Sequence, residues 1–253
     1  TNQNVSAAAG STSFAVTSNA NWSASSDATW CTVTTSGSGN GTLQATYTEN
    51  TTTATRVANI TVTVTGLAPV VVTVTQAAAN ATLSVTPSNQ NVAAPAGTTS
   101  FSVTSNNSWT AVSNATWCTV TPGGTGTGTL QANYTENTTT TSRVATITVS
   151  ASGTSPINVT VTQAGAAATL QVTPANQNVA ATAGTTTFDV TTNSAWTASS
   201  NATWCLVTTS GSGTGQLVAN YTENLNTAVR TATITVTVAG LTPVNVTVTQ
   251  DAA

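Results

Sequence analysis

The chain has 253 residues, only 4% of them charged, and a net charge of −3 at pH 7. Three Arg, with no Lys and no His, give no basic stripe that could displace counterions, which excludes binding to nucleic acid. The longest apolar stretches, such as Val70–Val72, are far too short to span a bilayer, and no basic amphipathic segment suggests direct membrane insertion.

The large side chains recur at a spacing of 87 residues, as Trp22, Trp109 and Trp196 show. Every other aromatic residue, each Arg and each Cys follows the same spacing: Trp30, Trp117 and Trp204; Phe14, Phe101 and Phe188; Tyr47, Tyr134 and Tyr221; Arg56, Arg143 and Arg230; Cys31, Cys118 and Cys205. Such a period suits a small autonomous domain better than a solenoid repeat. We predict three tandem domains over residues 1–79, 80–166 and 167–253, the first without its opening strand.

Within one repeat, apolar and polar residues alternate with the period of a β-strand, and no helix signal occurs. The second repeat predicts seven strands, in chain order 83–87, 100–104, 108–111, 117–121, 129–135, 143–149 and 157–163. Turn residues separate them, including the glycine-rich run 123–128. Seven short strands in under 90 residues indicate an all-β fold, a two-sheet antiparallel sandwich of the immunoglobulin type.

The linkers between the repeats are short and rich in Ala. Six residues separate Gln76 from Leu83, and six separate Gln163 from Leu170. Because neither segment is a flexible Gly/Ser coil, we predict that the three sandwiches form a semi-rigid rod.

A set of motifs recurs in each repeat: Asn-x-x-Trp, a second Trp that begins Trp-x-x-Val-Thr, a Gly-rich turn, Tyr-Thr-Glu-Asn, a strand that begins at Arg, and a closing Val-Thr-Val-Thr-Gln. Together they resemble the BACON domain, the Bacteroidetes-associated carbohydrate-binding module, over the whole chain. The resemblance implies an immunoglobulin-like sandwich on the surface of, or secreted by, a bacterium of that phylum.

Two Trp positions in each repeat have different expected roles. The first (Trp22, Trp109, Trp196) shares its strand face with a small apolar residue and should fill the core. For the second (Trp30, Trp117, Trp204), two alternatives stay open. Either the strand starts one residue later and the indole covers the core, or the indole points outward as a candidate contact for a ligand or a neighbouring chain.

Few residues could carry out chemistry. Glu49 and Arg56, with their counterparts in the other repeats, form the one recurring charge pair, which we interpret as a clamp across a turn. Asp27, Asp189 and Asp251 do not recur, so no shared metal cluster is predicted, and no second acid or base accompanies the single repeated carboxylate. Each Cys is expected to be a buried apolar residue. No catalytic residue, cofactor or metal is predicted.

Two functional hypotheses follow. In the first, the repeats are non-catalytic parts of a cell-surface adhesin, stalk or extracellular filament, in which neighbouring copies of the chain are possible partners. A surface with so few charges repels its neighbours weakly, which favours close packing. In the second, each repeat carries a weak site for surface glycans, and linkage of three sites provides avidity.

Overall fold

The computed structural model describes residues 1–253 and contains strands and turns but no helix. Accordingly, it has no helix with the length and apolar character needed to cross a membrane. The strands form six sheets, two for each repeat, which confirms the predicted all-β, immunoglobulin-like sandwiches.

The fold divides into two compact units. Unit 1 comprises residues 1–89, 100–132 and 146–159, and unit 2 comprises residues 90–99, 133–145 and 160–253. Unit 1 contains all residues of the first repeat and unit 2 all residues of the third, so each of these two sandwiches lies within a single unit.

The first repeat has eight strands: β1 (Gln3–Val5), β2 (Gly10–Val16), β3 (Asn21–Ser26), β4 (Cys31–Val33), β5 (Ser36–Ser38), β6 (Gly41–Tyr47), β7 (Arg56–Val64) and β8 (Val70–Gln76). One sheet has the order β1-β8-β7-β3-β5 and the other the order β2-β6-β4. Most pairs are antiparallel, but β1 runs parallel to β8, with Gln3 opposite Val74.

The second repeat has nine strands: β9 (Leu83–Thr86), β10 (Asn89–Val92), β11 (Gly97–Ser105), β12 (Ser108–Ser113), β13 (Cys118–Val120), β14 (Gly123–Thr125), β15 (Gly128–Tyr134), β16 (Arg143–Ala151) and β17 (Ile157–Gln163). Its opening strand β9 pairs antiparallel with β11, an edge that no strand covers in the first repeat.

The third repeat again has nine strands: β18 (Leu170–Thr173), β19 (Asn176–Val179), β20 (Gly184–Thr192), β21 (Ala195–Ser200), β22 (Cys205–Val207), β23 (Ser210–Ser212), β24 (Gly215–Tyr221), β25 (Arg230–Val238) and β26 (Val244–Gln250). Its sheets have the orders β18-β20-β24-β22 and β19-β26-β25-β21-β23.

The first Trp of each repeat lies in the core, as predicted. In the third repeat Trp196 packs with Phe188, Leu217 and Ile234 between the two sheets. Its indole nitrogen donates a hydrogen bond to the carbonyl of Gly213, which lies in a tight turn with a φ of +66°. Residues with a side chain rarely adopt this conformation, so glycine is required at the position that accepts the hydrogen bond from the indole.

The structure corrects three expectations about the strands. The glycine-rich run predicted as a turn begins with a short strand, β14, which pairs with β12 and places Gly124 opposite Trp109. The fourth predicted strand begins at Cys118, one residue later than the Trp that precedes it. The polar strand β10 was not anticipated, because Asn-Gln-Asn-Val lacks an apolar alternation.

None of the three cysteines is in a disulfide bond, and all three are buried in the sandwiches. Burial raises the pKa of the Cys31 and Cys205 thiols, against smaller opposing effects of nearby hydroxyl and guanidinium groups. Each Cys therefore behaves as a small apolar core residue.

Candidate functional site

The candidate Trp residues lie in a turn directly before the short strand that begins at Cys31, Cys118 or Cys205. Trp30 precedes β4, and Trp204 precedes β22, so neither residue has the alternating geometry of a strand. Trp30, Trp117 and Trp204 are all half-buried. Trp30 and Trp204 pack against the cores of their repeats, which is the covering role that one alternative gave them.

An arginine covers the indole. The guanidinium carbon of Arg56 lies 4.3 Å from the ring centroid of Trp30, and that of Arg230 lies 4.2 Å from the ring centroid of Trp204. At this distance the cation is attracted to the negative face of the ring. The ring face that would stack on a sugar is therefore occupied by a charged group of the same repeat.

The arginine is in turn held by a buried glutamine at the end of the last strand. Arg56 donates from Nε to the side-chain oxygen of Gln76 at 2.8 Å and from a terminal nitrogen to the carbonyl of Thr48 at 2.8 Å. Arg143 with Gln163 and Arg230 with Gln250 repeat this bond at 2.9 and 2.8 Å.

Arg230 donates a hydrogen bond to the main-chain carbonyl of Glu223, at 3.0 Å. The arginine therefore serves mainly to fix the glutamine and the indole, a different arrangement from the expected clamp between charged side chains.

The glutamine connects three parts of the repeat. Gln76 has no exposed surface, and its amide nitrogen donates to the carbonyls of Ala7 and Thr48, both at 2.9 Å. A buried polar group is costly unless it is hydrogen-bonded, and no buried side-chain polar atom in the structure lacks a partner. The last strand is thereby fixed to two loops at one end of the sandwich.

A buried asparagine in the next turn holds the beginning of the linker. Asn50 donates from its amide nitrogen to the carbonyls of Ala54 and Ala77, at 2.8 and 2.9 Å. Asn137 and Asn224 make the equivalent bonds to Ala164 and Asp251. Since Ala77 and Ala164 directly follow the last strands of their repeats, the chain that leaves the sandwich is fixed at its first residue.

The linker that follows is bonded to the main chain as well. The amide of Ala77 donates to the carbonyl of Val5 at 2.9 Å, and that of Ala79 donates to the carbonyl of Thr52 at 2.8 Å. Two alternate residues of the linker are thus held by hydrogen bonds on the surface of the repeat that precedes the linker.

Within unit 1, a residue of the second repeat fixes the other end of this linker. Asn106 accepts a hydrogen bond from the amide of Thr82 at 2.9 Å and donates to the carbonyl of Asn80 at 2.9 Å. The same amide nitrogen lies 3.3 Å from the carbonyl of Thr51 in the first repeat. One side chain therefore contacts the preceding repeat, the linker and the beginning of the next strand.

Within unit 2, the same arrangement occurs between the second repeat and the third. Asn193 accepts from the amide of Thr169 at 3.0 Å, donates to the carbonyl of Ala167 at 2.9 Å, and lies 3.4 Å from the carbonyl of Thr138. We call Asn106 and Asn193, with the linker groups they bind, the junction clamp.

The arrangement offers little for acid–base chemistry. Asp27, the carboxylate nearest to Trp30 in sequence, accepts hydrogen bonds from the main chain and the side chain of Asn59 at 2.8 and 2.7 Å. These bonds lower the pKa of Asp27 and keep its carboxylate ionised. No three His, Cys, Asp or Glu side chains are close enough together to hold a metal ion.

Sequence reasoning named the tryptophans but missed the junction clamp. Asn106 and Asn193 are the Asn of the Asn-x-x-Trp motif, which served only to identify the family. Their recurrence at the repeat spacing was visible, but polar recurrence in a chain rich in Asn and Thr is weak evidence by itself. The closing Gln was likewise part of a recurring motif, but the motif did not reveal that this residue is buried.

Comparison with known proteins gives fold-level likenesses of low similarity. A solved Bacteroides ovatus GH5 xyloglucanase is 25% identical over 34% of this chain, with a TM-score of 0.32. Protocadherin Gamma B7 is 12% identical over 98% of this chain and 73% of its own, with a TM-score of 0.38, and the surface layer protein SbsC is 18% identical over 93% of this chain and 40% of its own, with a TM-score of 0.30. TM-scores this low carry no argument about function.

The chain spans 19% of the xyloglucanase chain that it matches. Among curated proteins, none matches this chain. The viral BACON domain family, in contrast, matches residues 1–79, 82–166 and 169–253. Since these three matches together cover nearly every residue, the chain belongs to the family of viral BACON domains and contains three tandem copies of that domain.

Proposed function

We propose that this chain is a non-catalytic structural repeat of an extracellular stalk, adhesin or filament. The observation that carries the proposal is the junction clamp, which recurs with the same partners at both linkers. A linker that is hydrogen-bonded to the repeats on both sides resists bending, and a stalk needs this resistance to hold its tip away from a surface.

The chemistry of the surface supports the same role. With three basic and six acidic residues in 253, the chain has little charge to repel a neighbouring copy and little to titrate when the surroundings change. We therefore propose neighbouring copies of the chain as partners. The family is one of viral BACON domains. We therefore propose that the array is carried either by a virus particle or by the surface of a bacterium.

The proposal is tested by the distribution of angles between repeats. In electron micrographs of the isolated protein, we expect elongated particles with narrow bend angles. The double variant Asn106→Ala, Asn193→Ala should widen the distribution, because each substitution removes the bonds that join a linker to the next repeat.

The matched control is Asn19→Ala, which changes the equivalent Asn of the first repeat, where the side chain is exposed and binds no linker. This variant should keep the angles of the unmodified protein. Freely jointed repeats in the unmodified protein would overturn the proposal.

A second proposal is a weak, multivalent carbohydrate-binding role. The observation in its favour is the half-exposed indole that every repeat presents at the same turn, at Trp30, Trp117 and Trp204. The guanidinium over the rings of Trp30 and Trp204 opposes it, because a stacked sugar would have to displace that group. We therefore place this role second.

A glycan array and calorimetric titration test whether the chain binds carbohydrate. If the indoles bind sugar, a variant with all three of these tryptophans replaced by Ala should lose binding that the unmodified protein has. Absence of binding by the unmodified protein, with its fold intact, would remove the carbohydrate role and leave the structural role unaffected.

A further inference from the structure

The guanidinium of Arg56 has one nitrogen without a partner. Nε donates to the side chain of Gln76 and Nη2 donates to the carbonyl of Thr48, both at 2.8 Å, and the guanidinium carbon lies over the ring of Trp30. Nη1 makes no hydrogen bond within the repeat. Because no buried side-chain nitrogen of the structure lacks a hydrogen bond, this nitrogen is open to solvent.

The third repeat presents the same group. Arg230 donates from Nε to Gln250 and from Nη2 to the carbonyls of Thr222 and Glu223, and its guanidinium carbon lies over Trp204. Its Nη1 likewise has no partner and is open to solvent. The arginine is half-buried and oriented by these bonds, so little conformational freedom is lost when Nη1 binds a ligand.

No carboxylate neutralises either guanidinium. The hydrogen bonds of Arg56 and Arg230 all go to uncharged groups, and the bond between Arg230 and Glu223 uses the main-chain carbonyl. The side chains of Glu49 and Glu223 are exposed. An oriented arginine with neutral partners keeps its charge for a ligand and donates charge-assisted hydrogen bonds to an oxyanion.

The surroundings of the guanidinium limit the class of anion. One glutamate lies close in sequence to each position, so a singly charged carboxylate is repelled less than a phosphate, which carries about 1.5 to 2 negative charges at pH 7. The half-exposed indole beside the guanidinium adds an apolar surface next to the charge. A sugar acid combines a carboxylate with the apolar C–H groups of a ring and matches both features.

We infer that the first and third repeats bind the carboxylate of an acidic sugar at Nη1 of Arg56 and of Arg230, and that the ligand is a polyuronate, a polysaccharide that repeats this carboxylate along its chain. The inference rests on the carbohydrate-binding function proposed second and changes its contact, because the guanidinium receives the sugar and does not have to be displaced. A repeated carboxylate suits a repeated site, since linked sites bind a polymer with avidity.

The test compares polygalacturonate with its methyl ester, which keeps the sugar ring and removes the charge. In calorimetry of the full chain at about 0.1 M NaCl, we expect the acid form to bind about tenfold tighter, because two charged contacts of up to about fivefold each are lost in the ester. Binding of the acid form should weaken at about 0.5 M NaCl, whereas binding of the ester should not change.

A double variant, Glu49→Gln with Glu223→Gln, probes the site without removing a hydrogen bond of either arginine. Both side chains are exposed, and only the main-chain carbonyl of Glu223 is used. We expect this variant to bind polygalacturonate about two- to fivefold tighter, since a like charge near each guanidinium is removed, and to bind the methyl ester as before.

The matched control is Asp189→Asn, which removes an exposed negative charge far from the site. Asp189 lies opposite Gln216, at the other end of β24 from Thr222, whose carbonyl binds Arg230. Six residues of extended chain separate Gln216 from Thr222, which is roughly 20 Å at about 3.3 Å per residue and about twice the screening length at 0.1 M salt. This variant should bind polygalacturonate as the unmodified protein does.

Three results would overturn the inference. Equal affinity for the two polymers would do so and would leave the carbohydrate role standing. Binding of the acid form that neither the glutamate variant nor Arg56→Gln with Arg230→Gln alters would place the carboxylate elsewhere on the chain. If neither polymer binds, the inference fails, while the neutral sugars of the glycan array still test the carbohydrate role by themselves.

Discussion

The buried glutamine that closes each repeat joins distant parts of the repeat through hydrogen bonds. In the first repeat, Gln76 accepts from Arg56 and donates to Ala7 and Thr48, without any contact to solvent. Its stabilising effect depends on partners from two loops and from the first residue of β7, so its loss removes several buried hydrogen bonds at once.

We expect Gln76→Leu to lower the free energy of unfolding of the first repeat by about 2–4 kcal/mol, since an arginine and two carbonyls lose a buried partner while the volume is kept. Hydrogen exchange of the amides of β7 and β8 measures the effect. Gln44→Leu, on the exposed face of β6, is the matched control and should change stability little. Equal losses in both variants would contradict the assigned role.

Asp27 gives the first repeat a sensitivity to acid that its counterparts lack. Hydrogen bonds from Asn59 lower the pKa of Asp27 below its ordinary value of 3.8. The carboxylate therefore stabilises the fold above that value, and the contribution is lost as the pH falls through the lowered pKa. In the other repeats Asn114 and Asn201 occupy this position and accept the equivalent main-chain bond at 2.8 Å.

Asp27→Asn should therefore reduce the loss of stability of the first repeat when the pH falls from about 7 to about 2.5. Hydrogen exchange of the first repeat at both pH values measures the difference. The amides of the third repeat, which carries Asn201, provide an internal control. A variant that loses as much stability in acid as the unmodified protein would contradict the prediction.

At the scale of the element, the short strand opposite the core Trp depends on glycine. In the third repeat a Cβ on Gly211 would lie 2.4 Å from the indole of Trp196, whereas a Cβ on Gly215, at the start of the next strand, would meet nothing within 4 Å. The strand β23 can therefore lie against the indole only if this residue has no side chain.

We expect Gly211→Ala to destabilise the third repeat by about 1–3 kcal/mol, because the buried indole cannot move away without strain. Gly215→Ala should change stability by less than about 1 kcal/mol. Denaturant unfolding, followed by hydrogen exchange of the third repeat, compares the two variants. If only Gly215→Ala destabilised the third repeat, the need for glycine would come from the hairpin turn and not from contact with the indole of Trp196.

Strands with a strong alternation of apolar and polar residues could be predicted from the sequence. The last strand of the second repeat, 157–163, agrees with the structure at both ends. The strands β10 and β14 could not, because main-chain pairing holds these short polar or glycine-rich segments and their side chains give no apolar signal.

The candidate site was predictable to a smaller extent. The spacing of Trp30, Trp117 and Trp204 identified the position, and the choice between an outward and a covering indole depended on a strand boundary that sequence leaves uncertain by one residue. The cover of Arg56 over Trp30 depends on pairing between distant strands, which the sequence could not reveal.

At the scale of the whole molecule, scarcity of charge is the main physical feature. Nine charged side chains in 253 residues leave little long-range electrostatic energy for salt to screen. The fold depends instead on packing and on hydrogen bonds between uncharged groups.

We therefore expect the melting temperature at neutral pH to change by less than about 2 °C between about 0.05 and 0.5 M NaCl. Differential scanning calorimetry measures the change. The control is Arg56→Gln in the same salt series, which removes one of the few cations and should lower the melting temperature equally at every salt concentration. A marked rise or fall of the melting temperature of the unmodified protein with salt would contradict this account.

The single buried thiol of each repeat has a consequence for any measurement under load. Cys31, Cys118 and Cys205 are inaccessible while their sandwiches are closed. If tension unfolds one sandwich, it exposes one cysteine sulfur. The number of alkylated cysteines per molecule therefore equals the number of sandwiches that have unfolded. Alkylation followed by mass spectrometry therefore reports how many domains of the array have opened, without any probe attached to the protein beforehand.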